Sequence, residues 1–183
     1  MKVQPLAIPD ILLIEPRVFA DERGKFFEMW QEERYRSKGM ELRYVQDSVS
    51  RSARGVIRGL HFQHPHDQGK LVSVLHGSAW DIAVDVRIGS ATFGKWVAEE
   101  LSDANHRQLW IPPGFAHGFQ ALAEDTVFSY KVTDTYHPES ERTIRYDDPA
   151  LAIPWPLANG IVSPRDAAAP LLAALPREQL PQF

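Results

Sequence analysis

Histidine, lysine and arginine crowd the middle of the chain in an arrangement able to move protons or hold an anion. The stretch Arg58-Gly-Leu-His-Phe-Gln-His-Pro-His-Asp-Gln-Gly-Lys70 puts His61, His64 and His66 within six positions and ends on Lys70. His117 follows in Ile111-Pro-Pro-Gly-Phe-Ala-His117. Imidazoles can ligate a transition metal or shuttle protons near neutral pH. A protonated lysine beside them repels a divalent cation and offers no lone pair, so Lys70 turns the reading towards acid–base chemistry on an anionic substrate. Arg51, Arg54, Arg58 and Lys70 fall within twenty residues, with Arg142, Arg145 and Arg165 further on. Singly, each reads as a solvated surface charge; several converging on one pocket would suit a small anion such as a diphosphate. His61 taken alone equally fits a hydrogen-bonded structural histidine. His64 and His66, beside proline and aspartate, read as exposed loop residues, and His117 follows a Pro-Pro-Gly turn that can re-aim a side chain into a pocket.

The chain that must position these groups has 183 residues, 44% hydrophobic and 24% charged. That is enough for one well-buried core, and residues 1–183 read as a single domain. Cysteine is absent, which excludes disulfides, thiolate nucleophiles, zinc–thiolate sites and iron–sulfur clusters. The N-terminal stretch has prolines at 5, 9 and 16 and no apolar run long enough for a signal peptide or membrane span. A cytoplasmic protein with no membrane partner is expected. A net charge of −4 disfavours general binding to nucleic acid, whose affinity comes from neutralising phosphates.

Residues 44–136 form short runs rich in valine, isoleucine, threonine and aromatics. The runs at 71–77, 79–89, 92–101, 106–114 and 126–136 alternate at least partly and are broken near Gly77, Gly89, Pro112-Pro113-Gly114 and Glu124-Asp125. This pattern predicts an all-β antiparallel sandwich or barrel. Helix formers at 27–39, ending on Gly39, predict one short helix. Ser163 and Pro164 predict an N-cap and first residue of another, limited by Pro170. The last 35 residues, with prolines at 149, 154, 156, 164, 170, 176 and 181, read as an irregular wrap over the barrel.

His64-Pro65-His66 followed by Lys70 and Gly77 resembles the first motif of the cupin superfamily, and Pro112-Pro-Gly-Phe-Ala-His117 resembles the second. In metal-binding cupins an acidic ligand stands where this chain has Lys70. The likeness implies a cupin-like jelly roll without the metal. A closer resemblance, to the dTDP-4-dehydrorhamnose 3,5-epimerase family, is carried by Phe19-Ala-Asp-Glu-Arg-Gly-Lys-Phe-Phe-Glu28, Gln46-Asp-Ser-Val-Ser-Arg-Ser52, Val56-Ile-Arg-Gly-Leu-His-Phe-Gln63, Gly69-Lys70, Ile111-Pro-Pro-Gly-Phe-Ala-His-Gly-Phe119, Tyr130-Lys-Val-Thr-Asp-Thr-Tyr136 and Ser163-Pro-Arg-Asp166. Together these segments span nearly the whole chain in the family's order.

The resemblance implies a homodimer that works without cofactor or metal on a 4-keto-6-deoxyhexose linked to dTDP, inverting C3 and C5. The C4 ketone acidifies both neighbouring C–H bonds, so one base and one acid can serve both carbons. His61 matches the base, oriented and charge-compensated by Asp166. Tyr130 matches the acid on the opposite face, and Lys70 the cation that stabilises the C4 enolate. Arg58 and His117 match substrate contacts. Arg23, Glu28, Gln46, Asp47, Glu141 and Arg165 match nucleotide and sugar contacts, some of which a dimer can supply across its interface. Tyr136 matches the aromatic that stacks on thymine, although the residues alone favour a strand-end aromatic packed on the barrel. Two departures touch this set. The family usually has asparagine where this chain has Ser48, which substitutes a shorter hydroxyl for an amide, and lysine where it has Arg165, which keeps the charge and changes its geometry.

Other readings use the same residues differently. An epimerase acting at C3 or C5 only would share every motif. A metal-dependent cupin would ligate through His61, His64, His66 and His117. A non-catalytic nucleotide-sugar binding module would keep the barrel and its arginines without turnover.

Overall fold

The computed structural model describes residues 1–40 and 43–183. In chain order its strands are β1 (Lys2–Pro5), β2 (Leu12–Glu15), β3 (Phe19–Asp21), β4 (Gly24–Phe26), β5 (Gln46–Ser52), β6 (Val56–Gln63) and β7 (Lys70–His76), then β8 (Ser78–Asp85), β9 (Trp96–Ser102), β10 (Gln108–Ile111), β11 (Phe115–Ala121), β12 (Thr126–Val132), β13 (Glu141–Thr143) and β14 (Ile161–Val162). Two short helices, α1 (Glu32–Arg36) and α2 (Pro164–Ala167), lie outside the sheets. One sheet has the order β1-β2-β10-β7-β12-β5, and the other β13-β6-β11-β8-β9, with β14 pairing parallel to β6. The hairpin β3–β4 pairs only with itself. The result is the all-β jelly-roll sandwich expected, with peripheral helices and a C-terminal wrap.

Three buried clusters show why these sequences make strands. Leu13, Val72, Val74 and Phe128 of the first sheet meet Ala79, Ala83, Phe115 and Phe119 of the second between the layers. The outer face of the second sheet, including Ile82, Val84 and Ala116, is sealed by Leu151, Leu172 and Leu180 of the C-terminal wrap. Both faces of β8 are therefore buried, which explains a nearly unbroken apolar run where a one-sided strand would alternate. On the outer face of the first sheet, Leu71 and Trp110 pack with Tyr35 of α1.

The turns fall where the sequence placed them. Gly77, Gly89, Gly114 and Asp125 all adopt positive φ, the left-handed region that glycine and aspartate tolerate best. Ser163 caps α2, its Oγ accepting from the Asp166 N–H at 3.1 Å. The helix expected over 27–39 is shorter, running from Glu32 to Arg36 with Gln31 as its N-cap. Strand β9 begins at Trp96 instead of 92, because Thr92–Lys95 form a turn in which Thr92 Oγ1 donates to Asp85 Oδ2 at 2.6 Å. Strand β11 was hidden behind the Pro-Pro-Gly turn and Gly118. No helix among the described residues is long and apolar enough to cross a membrane.

One irregularity shapes the site. Strand β6 pairs with β11 through His61 opposite His117 and Arg58 opposite Phe119, with a register shift between the two pairs. Strict alternation would send residues three apart to opposite faces; the bulge lets both Arg58 and His61 face the interior cavity. The close approach behind it demands glycine on both strands. A Cβ on Gly59 (φ +124°) would stand 2.6 Å from Gly118 Cα, and one on Gly118 would stand 2.8 Å from Arg58 O.

Candidate active site

A cavity of about 400 Å³ opens between the two sheets, lined by Arg58, His61 and His117 from one side and by Lys70, Tyr130 and Ser48 from the other. Lys70 pairs with Val132, and Tyr130 with Ser48 and Val72, so the lysine and the phenol occupy one face of the first sheet two positions apart. His61 and His117 are direct cross-strand neighbours in the second. The imidazoles and the phenol thus reach the cavity from opposed layers. A larger cleft, about 630 Å³, lies between the β8–β9 connection and the C-terminal wrap, but no histidine, tyrosine or carboxylate lines it.

His61 Nε2 donates to Asp166 Oδ1 at 2.7 Å. An ionised carboxylate only accepts, so this contact puts the imidazole proton on Nε2 and leaves the lone pair on Nδ1. Burial pushes the Asp166 carboxyl up, but hydrogen bonding and charge from His61, helped by the Gly59 N–H, outweigh it and hold the group below the usual carboxylate range. A histidine with a fixed tautomer and an ionised partner is equipped as a general base.

Lys70 is 8% exposed, and its ammonium makes no hydrogen bond or ion pair among the described residues. Desolvation lowers its pKa to about 8, against the opposing pull of Glu141, Asp67 and Asp81. A buried, unpaired cation is unfavourable in the resting protein, and an anion developing beside it relieves that cost. Tyr130 OH lies 3.1 Å from Ser50 Oγ. Burial pushes the phenol up to about 12, with Ser50 and Arg58 acting the other way, so it stays protonated at neutral pH and can give a proton.

Behind these groups stands a second imidazole–carboxylate pair, in which His117 Nε2 donates to Asp81 Oδ2 at 2.7 Å. Asp81 was missed from the sequence, as were Ser50 and Gln68 of the cavity wall. A carboxylate inside the apolar run Ala79-Trp-Asp-Ile-Ala-Val84 was the available signal, since period two puts it on the same face as Ala79 and Ala83. Burial raises the Asp81 carboxyl despite the opposing effects of His117 and Lys70.

At the mouth, Tyr136 is half exposed and its hydroxyl donates to Glu141 Oε2 at 2.7 Å. Arg165 Nη2 reaches the same oxygen at 2.7 Å. The Tyr136 N–H donates to Gln46 Oε1 at 3.1 Å, and Gln46 Nε2 donates to Ser48 Oγ at 3.1 Å. Arg58 Nε donates to Ser52 Oγ at 3.1 Å, with the guanidinium at the cavity edge. Three residues named from the sequence lie elsewhere. Asp47 points to the outer face of β5 and pairs with Lys131 at 2.6 Å, as alternation along Gln46-Asp47-Ser48 requires. Arg23, at the β3–β4 turn, pairs with Asp21 at 2.6 Å, and Glu28 pairs with Arg34 at 3.1 Å. His64 and His66 sit in the β6–β7 connection and do not line the cavity.

The two sheets and the cavity between them define a jelly-roll β-protein with an acid–base pocket. The family model for dTDP-4-dehydrorhamnose 3,5-epimerase matches residues 5–174, and the chain belongs to that family. The dTDP-4-dehydrorhamnose 3,5-epimerase of Pseudomonas aeruginosa is 53% identical over 168 residues, covering 91% of this chain and 93% of that protein. The crystal structure of the Legionella pneumophila 3,5-epimerase in complex with dTDP-4-keto-L-rhamnose is 52% identical with a TM-score of 0.96, covering 100% of this chain and 98% of that one. A 3′-monoepimerase from Streptomyces bikiniensis, solved with dTDP-quinovose, is 33% identical with a TM-score of 0.92, covering 98% and 92%.

Proposed function

We propose that this chain epimerises dTDP-4-dehydro-6-deoxy-D-glucose at C3 and C5 to give dTDP-4-dehydro-L-rhamnose. His61 Nδ1 removes the proton α to the C4 ketone, and Asp166 stabilises the imidazolium that forms. The C4 oxygen takes up the negative charge as an enolate beside the Lys70 ammonium. Tyr130, across the cavity, returns a proton to the opposite face of the same carbon, and each carbon inverts. Repetition at the second carbon uses the same ketone, so one cavity suffices for both. The single observation carrying this reading is the meeting of His61, Lys70 and Tyr130 in one cavity from two opposed sheets.

In this reading Arg58 and Arg165 hold the diphosphate, Tyr136 stacks on thymine, and Gln46, Ser48, His117 and Glu141 line the path of the sugar and nucleotide. Residues 1–183 act as one domain and the working unit is a homodimer. Arg23 and Glu28 stand outside the cavity of their own chain, and the β3–β4 hairpin exposes Phe19 and Phe26 at 49% and 67%; such a hairpin suits delivery of Arg23, Glu28 or both to the cavity of a second copy. Asp47, turned outward on β5, has a role only if the second copy approaches that face.

Turnover of dTDP-4-keto-6-deoxyglucose in D₂O tests the assignment. Deuterium is expected at both C3 and C5. Label at one carbon alone would make the chain a monoepimerase, the activity of the Streptomyces bikiniensis relative, and label at neither would remove the proposed chemistry.

A further inference from the structure

We propose that the loops beside the cavity mouth carry a site for one divalent transition-metal ion of the zinc, nickel or copper class, bound by His66, His137 and Glu139. The donor atoms of these three side chains lie within 4.8 Å of one another. None of them lines the catalytic cavity, and none has a part in the proton transfers above.

His137 already has the surroundings of a metal-bound histidine. Its Nε2 meets Thr135 Oγ1 at 3.2 Å and Asp134 Oδ1 at 3.8 Å, while Nδ1 faces Glu139 Oε1 at 3.4 Å. A proton on Nε2, where Thr135 and Asp134 can take it, would leave the Nδ1 lone pair facing the Glu139 carboxylate; without a metal, an Nδ1 proton bridges the two instead. Two electron-rich groups repel unless a proton or a metal cation sits between them. A carboxylate or hydroxyl behind the far nitrogen is the usual way a protein fixes the tautomer of a ligating imidazole. His66 Nδ1 stands 3.6 Å from Asp134 Oδ2, so the same carboxylate lies near both rings. The rings stack with centroids 3.9 Å apart and planes 8° apart.

The backbone that presents them is tied down. Gln63 Nε2 donates to His66 O at 2.8 Å and to Thr135 O at 3.2 Å, and its Oε1 accepts from the His137 N–H at 2.9 Å. Gln68 Nε2 donates to Asp134 O at 2.7 Å. Two buried glutamines therefore lock the 64–69 and 134–139 segments together, and His66 is held in the left-handed region at φ +69°. Bonds of about 2.0–2.2 Å to nitrogen and oxygen require the donors to draw closer than they now stand. Rotation of the exposed His66 and Glu139 side chains towards the half-buried His137 would supply that closure. Two imidazoles and a carboxylate select borderline ions over magnesium or calcium, which prefer all-oxygen shells.

Chelator-treated full-length protein titrated with Zn²⁺ by calorimetry, and with Cu²⁺ by electron paramagnetic resonance, tests the site. One ion per chain is expected, with hyperfine coupling from two imidazole nitrogens in the copper spectrum. His66→Ala and His137→Ala should each weaken binding by at least about tenfold, the scale on which even outer-shell losses act. Glu139→Gln, an isosteric change on the surface, should weaken it too and covers the case in which a histidine variant misfolds. His76→Ala, whose imidazole pairs with Asp103 far along the chain, should leave binding unchanged. Absence of saturable uptake, uptake indifferent to His137→Ala and Glu139→Gln, or uptake lost in His61→Ala would each overturn the proposal.

Discussion

Two imidazole–carboxylate pairs stand side by side on adjacent strands with the same contact, Nε2 to a carboxylate oxygen at 2.7 Å, yet in different surroundings. The His61 side chain keeps 34% of its surface accessible and its partner Asp166 only 6%, whereas His117 and Asp81 are closed off at 5% and 0%. Asp166 is held below the ordinary carboxylate range by hydrogen bonds that overcome its burial. Asp81 is raised, because burial wins and its Oδ1 has no partner. One geometry therefore serves two ends. A reachable imidazole backed by an ionised carboxylate is equipped as a base; a sealed one holds its ring in one orientation, with the Nδ1 lone pair on the side away from Asp81, and places a balancing charge near Lys70.

Replacing each carboxylate in turn is the sharpest way to break this comparison. Asp166→Asn should frustrate the tautomer of His61 and lower kcat by about 10²–10⁴, the range that a general base supplies. Steady-state turnover with dTDP binding measured in parallel checks it: affinity for the nucleotide should stay nearly constant. Equal losses from Asp166→Asn and Asp81→Asn would erase the distinction between the pairs.

Lys70 lies between the two pairs in its demands. Lys70→Met should reduce turnover by about 10²–10³, the cost of removing one preorganised donor from a developing oxyanion. The pKa near 8 adds a pH signature. A lysine whose pKa is depressed loses its charge as pH rises through that value, so kcat/KM should fall above pH 8, and a pH–rate profile of Lys70→Arg should move that limb upward. A limb at the same pH in Lys70→Arg would assign it to another group.

The smallest effect is expected at Asp81. Asp81→Asn keeps a hydrogen bond to His117 and removes a buried charge, so kcat should fall by about tenfold, or ~1.4 kcal/mol of barrier. Because that charge also supports the protonated form of Lys70, the alkaline limb should move to lower pH. A variant that loses activity with no movement of the limb would leave Asp81 a purely structural residue.

Much of this was legible in the sequence, for definable reasons. Turn chemistry is local, so Gly77, Gly89, Gly114 and Asp125 could be read from residue type. The strands of 71–77 and 126–136 declared themselves through apolar periodicity. Motif resemblance brought together His61, Lys70, His117, Tyr130 and Asp166. Strand pairing is a non-local property, and nothing in the local pattern says that β6 and β12 belong to opposing sheets. The bulge that turns both Arg58 and His61 inward was equally invisible, since it depends on Gly59 meeting Gly118 across two strands. Asp81 escaped because a lone carboxylate in an apolar run has no motif, and its partner is 36 residues away. Asp47 shows the reverse: resemblance named it, while simple alternation along β5 already turned it away from its neighbours Gln46 and Ser48.

The opposed placement of base and acid is tested most directly by Tyr130→Phe in D₂O. His61 would still form the enolate beside Lys70 and return hydrogen only to the face it came from. Recovered substrate should therefore carry deuterium with its original configuration, and dTDP affinity should be nearly unchanged. Inversion at the wild-type rate in Tyr130→Phe, or loss of all exchange while the nucleotide still binds, would contradict a mechanism that reaches the sugar from two sides.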